Sequence, residues 1–171
     1  PGDKLYLTKP LGVGIMTAAA RIDCIGQEDL RPVIDSMMEL NSTGSKATVA
    51  AGTHAATDVT GFGLAGHLRE MLEASNCSEV IEFPSLPLFS QAWQLCCDYC
   101  RPGRTFSTIE YLSTSIDKGS LDEVEFDNRL GIICDPQTSG GILTAIPAEN
   151  AAKFEEEFER LAGRAPAQIG L

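Results

Sequence analysis

The spacing of apolar residues in this chain changes repeatedly between the alternation of a β-strand and the stripe of an amphipathic helix. Alternation over residues 4–8 and 142–146 predicts two strands. Helical stripes cover residues 27–41, 63–75 and 147–163. Because elements of both kinds interleave along the chain, we expect an α+β fold, an α/β sandwich with a central β-sheet.

Weaker patterns fill the remaining sequence. They predict helices at 47–52 and 90–99, strands at 78–83 and 130–134, the start of a strand at 167–171, a turn at 101–104 and a surface excursion at 113–128. The apolar face of the 27–41 helix, which includes Ile34 and Met38, is predicted to pack in the core. No linker or repeat interrupts the series, so residues 1–171 are predicted to form a single domain.

The composition is that of a globular protein, with 43% hydrophobic and 22% charged residues among 171. No stretch approaches the roughly 20 apolar residues of a membrane helix, and no signal peptide opens the sequence. We therefore expect a cytoplasmic protein with no membrane partner. The formal net charge of -11, without a dense Lys or Arg cluster, also argues against nucleic acid as a partner. A nucleotide ligand must arrive with metal ions or meet cationic groups of another polypeptide.

The six cysteines are too sparse and irregular for a disulfide-stapled module, so we expect reduced thiols. Cys97 and Cys100 form a CxxC, a spacing that can bind zinc or exchange thiols. No second CxxC is present and neither histidine is near in sequence. The favoured interpretation is a pair of thiols at the end of an amphipathic helix.

The richest motif is TDVTGFGLAGH at residues 57–67, which combines one carboxylate, two threonines and three glycines. Glycines allow the backbone to approach a ligand closely, and the first N–H groups of the following helix attract anions. Asp58 is therefore a candidate ligand of a hard divalent cation, and Thr60, Gly61 and Gly63 are candidate cofactor-binding residues. The alternative is structural, with Thr60 or Asp58 capping the helix and the glycines permitting tight packing.

A second motif, CDPQTSGG, spans residues 134–141. Its hydroxyls and glycines suit an anion-binding nest, but an ordinary strand-to-strand turn explains the same residues equally well. Cys134 follows an apolar run and has no adjacent base, which argues against a nucleophile. His67 is interpreted as a structural histidine, and His54 has no carboxylate visibly arranged to orient it, so it receives no role.

Three motifs together resemble a known family: KPLGVGI at 9–15, TDVTGFGL at 57–64 followed by Gly66 and His67, and CDPQTSGG at 134–141. Their order and spacing are similar to those in the C-terminal domain of selenophosphate synthetase (selenide, water dikinase), in the aminoimidazole ribonucleotide synthetase-like superfamily. The resemblance runs from about residue 5 to the end, and it implies that the central β-sheet is mixed and flanked by helices. The family usually has Pro-Gly-Gly-Thr where this chain has Pro102-Gly-Arg-Thr105.

The resemblance implies ATP-dependent conversion of selenide and water to selenophosphate, AMP and phosphate. It implies a homodimeric full-length enzyme in which an N-terminal domain, absent from this sequence, carries the reactive Cys or selenocysteine, a lysine and most ligands of ATP and Mg²⁺. One family metal ligand falls on Asp58. No catalytic residue is expected on this chain, so we expect the fragment to be inactive in isolation.

Two alternatives stay open. The chain could serve another ATP-dependent enzyme of the same superfamily, such as a purine-synthesis synthetase or a hydrogenase maturation factor. It could also be an interaction module without catalytic duty, which would bind a protein partner and show no effect of nucleotide.

Overall fold

The computed structural model describes all residues 1–171, and its framework is one four-stranded sheet. The strands are β1 (Lys4–Leu7), β2 (Ala55–Asp58), β3 (Ile142–Ile146) and β4 (Ala167–Gly170), arranged in the order β2-β3-β1-β4. This confirms the α+β fold class. Every strand pair is antiparallel, although the resemblance implied a mixed sheet, and the spacing of apolar residues does not encode strand direction.

Eight helices surround the sheet. They are α1 (Val13–Arg21), α2 (Gln27–Met38), α3 (Ser42–Ala51), α4 (Gly63–Ser75), α5 (Ala92–Cys97), α6 (Gly103–Leu112), α7 (Glu123–Ile133) and α8 (Ala151–Ala162). Single 3₁₀ turns occupy Phe83–Ser85 and Ala148–Asn150. None of the helices has the length and apolarity needed to cross a membrane.

The alternation of side chains along β1 divides the core into two layers. Leu5 and Leu7 face the larger layer, which is packed mainly by α1, α4 and α5. Tyr6 points to the opposite face, where Phe154 and Phe158 of α8 cover it together with α3. Both faces of the sheet are therefore buried, and β2 lies at one edge.

Two of the predicted strands are wrong. Residues 78–83 contribute only one isolated bridge, between Ile81 and Gly170, before a 3₁₀ turn that contains Pro84. Residues 130–134 form the end of α7, which begins where the Asp122 carboxylate accepts a hydrogen bond from the N–H of Glu125. An apolar run this short shows neither the helical period of about 3.6 residues nor the strand period of two, so the sequence does not distinguish a strand from a helix in such a segment.

Three further predictions are wrong in part. The turn predicted at 101–104 leads directly into α6, and the excursion predicted at 113–128 gives way to α7 at residue 123. Within α2, Val33 is buried but Met38 is 74% exposed, so only part of the apolar stripe packs in the core. The apolar stripe of α2 is wider than the core surface against which the helix packs, so the residues at the edge of the stripe remain exposed to solvent.

Candidate functional site

The three glycine-containing motifs, far apart in sequence, meet at one place, which we call the motif junction (residues 8–14, 58–63 and 134–141). The N–H of Val59 donates to the carbonyl of Gly141 at 2.9 Å, and the N–H of Gln137 donates to the carbonyl of Thr60 at 3.0 Å. On the third side, the N–H of Ile142 donates to the Thr8 hydroxyl at 2.8 Å. The junction is therefore held by main-chain hydrogen bonds between segments as well as by packing.

Glycine is required at the junction because the backbones approach too closely for a side chain. A Cβ at Gly140 would lie 2.2 Å from the carbonyl oxygen of Val59, and one at Gly14 would lie 2.5 Å from the Asp135 carboxylate. Gly63 has a positive φ of 66°, and a Cβ there would lie 2.7 Å from the carbonyl oxygen of Ile133. The predicted role of the glycines in close packing is thus observed at these positions.

Asp135 and Gln137 of the second motif cap the N-terminus of α1. The Asp135 carboxylate accepts from the N–H of Gly14 at 2.9 Å, and the Gln137 side-chain oxygen accepts from the N–H of Val13 at 3.2 Å. Both side chains are buried, and burial raises the pKa of Asp135 to about 7. This capping role was not predicted, because the acceptors lie more than a hundred residues from the helix that they cap.

Lys9 of the first motif is also buried and fully used inside the fold. Its ammonium group donates to the carbonyl oxygens of Ser36 at 3.1 Å, Glu39 at 2.7 Å and Ser139 at 2.9 Å. Burial lowers the pKa of Lys9. The side chain therefore joins the C-terminal end of α2 to the second motif, and its charge faces the helix carbonyls rather than an external ligand.

Asp58 differs from these residues because it is exposed. It is the last residue of the edge strand β2, and the next residue, Val59, is fully buried and fixes the backbone. No hydrogen-bond donor of the chain reaches the Asp58 carboxylate, and no group of three potential ligands for a metal ion is present. Asp58 is thus free to bind a cation whose other ligands come from outside the chain.

Thr60, Gly61 and Gly63 lie beside Asp58 in three different environments. The Thr60 hydroxyl is hydrogen-bonded to His67 Nε2 at 3.0 Å, and the N–H of Gly63 donates to the carbonyl of Thr60. Gly61 is exposed, and a Cβ there would meet no atom within 4 Å. The N–H groups of Gly61 and Phe62 have no acceptor in the chain. We call residues 58–62 the rim loop, since Asp58, Gly61 and Phe62 are exposed at the edge of the motif junction.

The two histidines both have carboxylate partners. His67 is buried between Thr60 and Glu70, whose carboxylate lies 3.2 Å from Nδ1, which fits the structural role predicted for it. His54 Nδ1 lies 2.8 Å from the Asp3 carboxylate, so the expectation that no carboxylate orients it is wrong. The partner was missed because it lies 51 residues away in sequence.

The cysteines of the CxxC and of the second motif lack the surroundings of an activated nucleophile. Cys134 is fully buried, and burial together with the neighbouring Asp135 raises its pKa to about 12. Burial also raises the pKa of Cys97 and Cys100, and all six cysteines are free thiols. Thiols with raised pKa values are poor nucleophiles at neutral pH.

Comparison with a family model and with curated proteins identifies the family. Residues 1–170 match the family model "AIR synthase related protein, C-terminal domain". The selenide, water dikinase of Aeromonas hydrophila is 41% identical over 153 residues, which cover 90% of this chain and 43% of that protein. The enzyme of the same name from Shewanella sp. (strain MR-7) is 38% identical over 153 residues, covering 90% of this chain and 42% of the relative.

Solved structures show the same fold at low sequence identity. Thiamine-monophosphate kinase from Stenotrophomonas maltophilia has a TM-score of 0.62 and 15% identity, over 99% of this chain and 46% of that one. Hydrogenase maturation protein HypE in complex with ATP has a TM-score of 0.58 and 16% identity, over 99% and 42%. The chain thus spans about two fifths of the length of its curated relatives. It belongs to the AIR synthase related protein family, where it corresponds to the C-terminal domain, and its curated relatives are selenide, water dikinases.

Proposed function

We propose that this chain is the C-terminal domain of a selenide, water dikinase, which converts ATP, selenide and water to selenophosphate, AMP and phosphate. The observation that carries the proposal is the motif junction. The three motifs that resemble the family lie far apart in sequence, yet they pack on one another and leave the rim loop accessible at Asp58, Gly61 and Phe62. Identity of 41% to a curated relative over 90% of the chain supports the same activity.

Asp58 is the proposed magnesium ligand of this domain. Its exposed carboxylate has no partner in the chain, and carboxylate oxygen is a preferred donor for Mg²⁺. A single carboxylate does not make a site, so the remaining ligands come from the N-terminal domain and the triphosphate of ATP. A bound magnesium ion supplies charge neutralisation on the transferring phosphoryl group.

The neighbouring residues are proposed to shape the nucleotide side of the same site. The N–H groups of Gly61 and Phe62, which have no acceptor in the chain, are proposed to donate to an anion. No atom lies within 4 Å of a Cβ built at Gly61, so the approach of the anion is unhindered there. Thr60 acts through its bond to His67, which fixes the backbone between Asp58 and the helix. Gly63 contributes close packing, since its own N–H is already bonded.

The nucleophile is proposed to lie in the N-terminal domain of a homodimeric, cytoplasmic enzyme. The thiols of Cys97, Cys100 and Cys134, whose pKa values are raised, are unsuited to attack, and the free state of all six cysteines suits the cytoplasm. The isolated 171 residues, which form one domain on this proposal, should therefore turn over no ATP. They contribute the rim loop to a site that closes only when both domains are present.

Selenide-dependent product formation tests the proposal. In the enzyme that contains this domain, AMP and phosphate should form from ATP only when selenide is added, and phosphorus NMR should detect selenophosphate. The isolated chain should form neither product. AMP-free ATP hydrolysis, or turnover that is indifferent to selenide, would contradict the proposal and favour another ATP-dependent activity of the superfamily.

A further inference from the structure

Arg104, at the start of α6, is the cation that lies against the rim loop. Its Nε–H donates a long hydrogen bond of 3.4 Å to the carbonyl of Gly61, and its guanidinium carbon lies 4.3 Å from the centroid of the Phe62 ring. A guanidinium held at two points loses less freedom when it binds a further group. The side chain is therefore oriented by the loop that also carries Asp58.

The rest of the guanidinium is free. Six of the eight arginines pair with a carboxylate, and Arg104 is one of the two that do not, together with Arg21. The contact with Gly61 uses only Nε, so both terminal NH₂ groups have no acceptor in the chain. These groups provide four N–H donors in a planar fork, the geometry that suits two oxygens of one phosphate group.

An unpaired cation at this place is notable because the chain as a whole is acidic, with a net charge of -11. The negative net charge of the chain repels a polyanion that approaches the rim loop. One fixed positive charge beside the loop therefore contributes strongly to the attraction of that polyanion. The free N–H groups of Gly61 and Phe62 lie in the same loop that Arg104 contacts. Arg104 supplies side-chain donors and the rim loop supplies main-chain donors, and we infer that both can bind the same anion.

We propose that Arg104 binds a phosphate group of the ligand at the rim loop, and this inference rests on the proposed function for the identity of that ligand. The ligand class is a magnesium-bound polyphosphate, with Asp58 on the metal and Arg104 on the phosphate oxygens. The consequence of the Arg104 contact is tighter binding of the polyphosphate.

Titration of the isotopically labelled enzyme that contains this domain with magnesium tripolyphosphate, followed by NMR, tests this contact in the site that both domains complete. Binding should shift the resonances of the Arg104 Nε–H and of the Gly61 and Phe62 amides. Arg104→Gln should weaken the binding about tenfold, as expected for loss of a charged hydrogen-bonded contact. Arg104→Lys keeps the charge but loses the planar fork of donors, so its affinity should lie between those of the unchanged protein and of Arg104→Gln.

Arg21→Gln is the matched control, because it removes the other unpaired arginine and changes the net charge equally. It should bind as the unchanged chain does, and spectra that overlay outside the rim loop will show that each variant is folded. The inference is overturned if tripolyphosphate shifts none of these resonances, or if Arg104→Gln binds as tightly as Arg21→Gln. The probe contains no selenium or nucleoside, so this result is independent of the selenide test above.

Discussion

The buried part of the motif junction, which draws on the KPLGVGI and CDPQTSGG motifs, and the rim loop, which belongs to the TDVTGFGLAGH motif, are organised in opposite ways. Lys9 and Gln137 have their polar groups bonded inside the fold, to main-chain carbonyls and to the N-terminus of α1. Asp58 and the N–H groups of Gly61 and Phe62 have no partner in the chain. The residues of the junction thus divide into those that hold the fold and those available to a ligand.

The largest expected effect separates two glycines of the junction. Gly140→Ala places a Cβ 2.2 Å from a main-chain oxygen of Val59, so the backbones must move apart. We expect the free energy of unfolding to fall by about 3 kcal/mol. Gly61→Ala, in open space without a positive φ, should change it by less than about 1 kcal/mol.

Urea unfolding of the two variants at equal pH measures this difference. The two substitutions add the same methyl group to the same three-motif junction, so composition and net charge are controlled. Equal losses in both variants would show that the rim loop is as tightly packed as the buried part, and would remove the distinction between them.

A smaller effect is expected from Asp135 as the pH changes. Its pKa is raised to about 7 in the folded chain by burial, whereas an unfolded aspartate titrates near its ordinary value of about 4. The folded state therefore binds more protons between these values. The contribution of Asp135 to stability is fully present below about pH 4 and is lost as the pH rises toward about 7.

Asp135→Asn isolates this contribution, because the amide does not titrate. Unfolding experiments across this pH range should show that the unchanged chain loses stability relative to the variant as pH rises. Parallel pH profiles for the two proteins would show that the buried carboxyl does not titrate in this range, and that the hydrogen bonds from α1 outweigh its burial.

The local part of this architecture could be predicted from the sequence. The stripe of α4 fixed its bounds at Gly63 and Ser75, and the alternation of β1 and β3 located both strands, because their periodicity is contained within each segment. The end of α7 was assigned to a strand because the apolar run at 130–134 is too short to show a period.

The long-range part could not be predicted. The acceptors of Lys9 and the helix that Asp135 caps lie in other segments of the chain, and residue spacing carries no information about such neighbours. The position of Arg104 against Phe62 depends on the packing of α6, a helix that the sequence patterns did not predict, since residues 101–104 were interpreted as a turn. For Asp58, residue type and neighbouring glycines sufficed to propose a metal ligand, whereas its lack of partners became visible only in the fold.

The most direct measurement compares turnover and stability for Asp58→Asn in the enzyme that contains this domain. Loss of a metal ligand should lower selenide-dependent AMP formation at least about a hundredfold, since the ion stabilises the transferring phosphoryl group. The free energy of unfolding of the variant domain should differ from that of the unchanged domain by less than about 0.5 kcal/mol, because the Asp58 side chain is exposed and makes no hydrogen bond. Asp35→Asn, at an exposed site on α2, is the control and should change neither quantity. Full turnover by Asp58→Asn would contradict the assignment of the rim loop to the ligand.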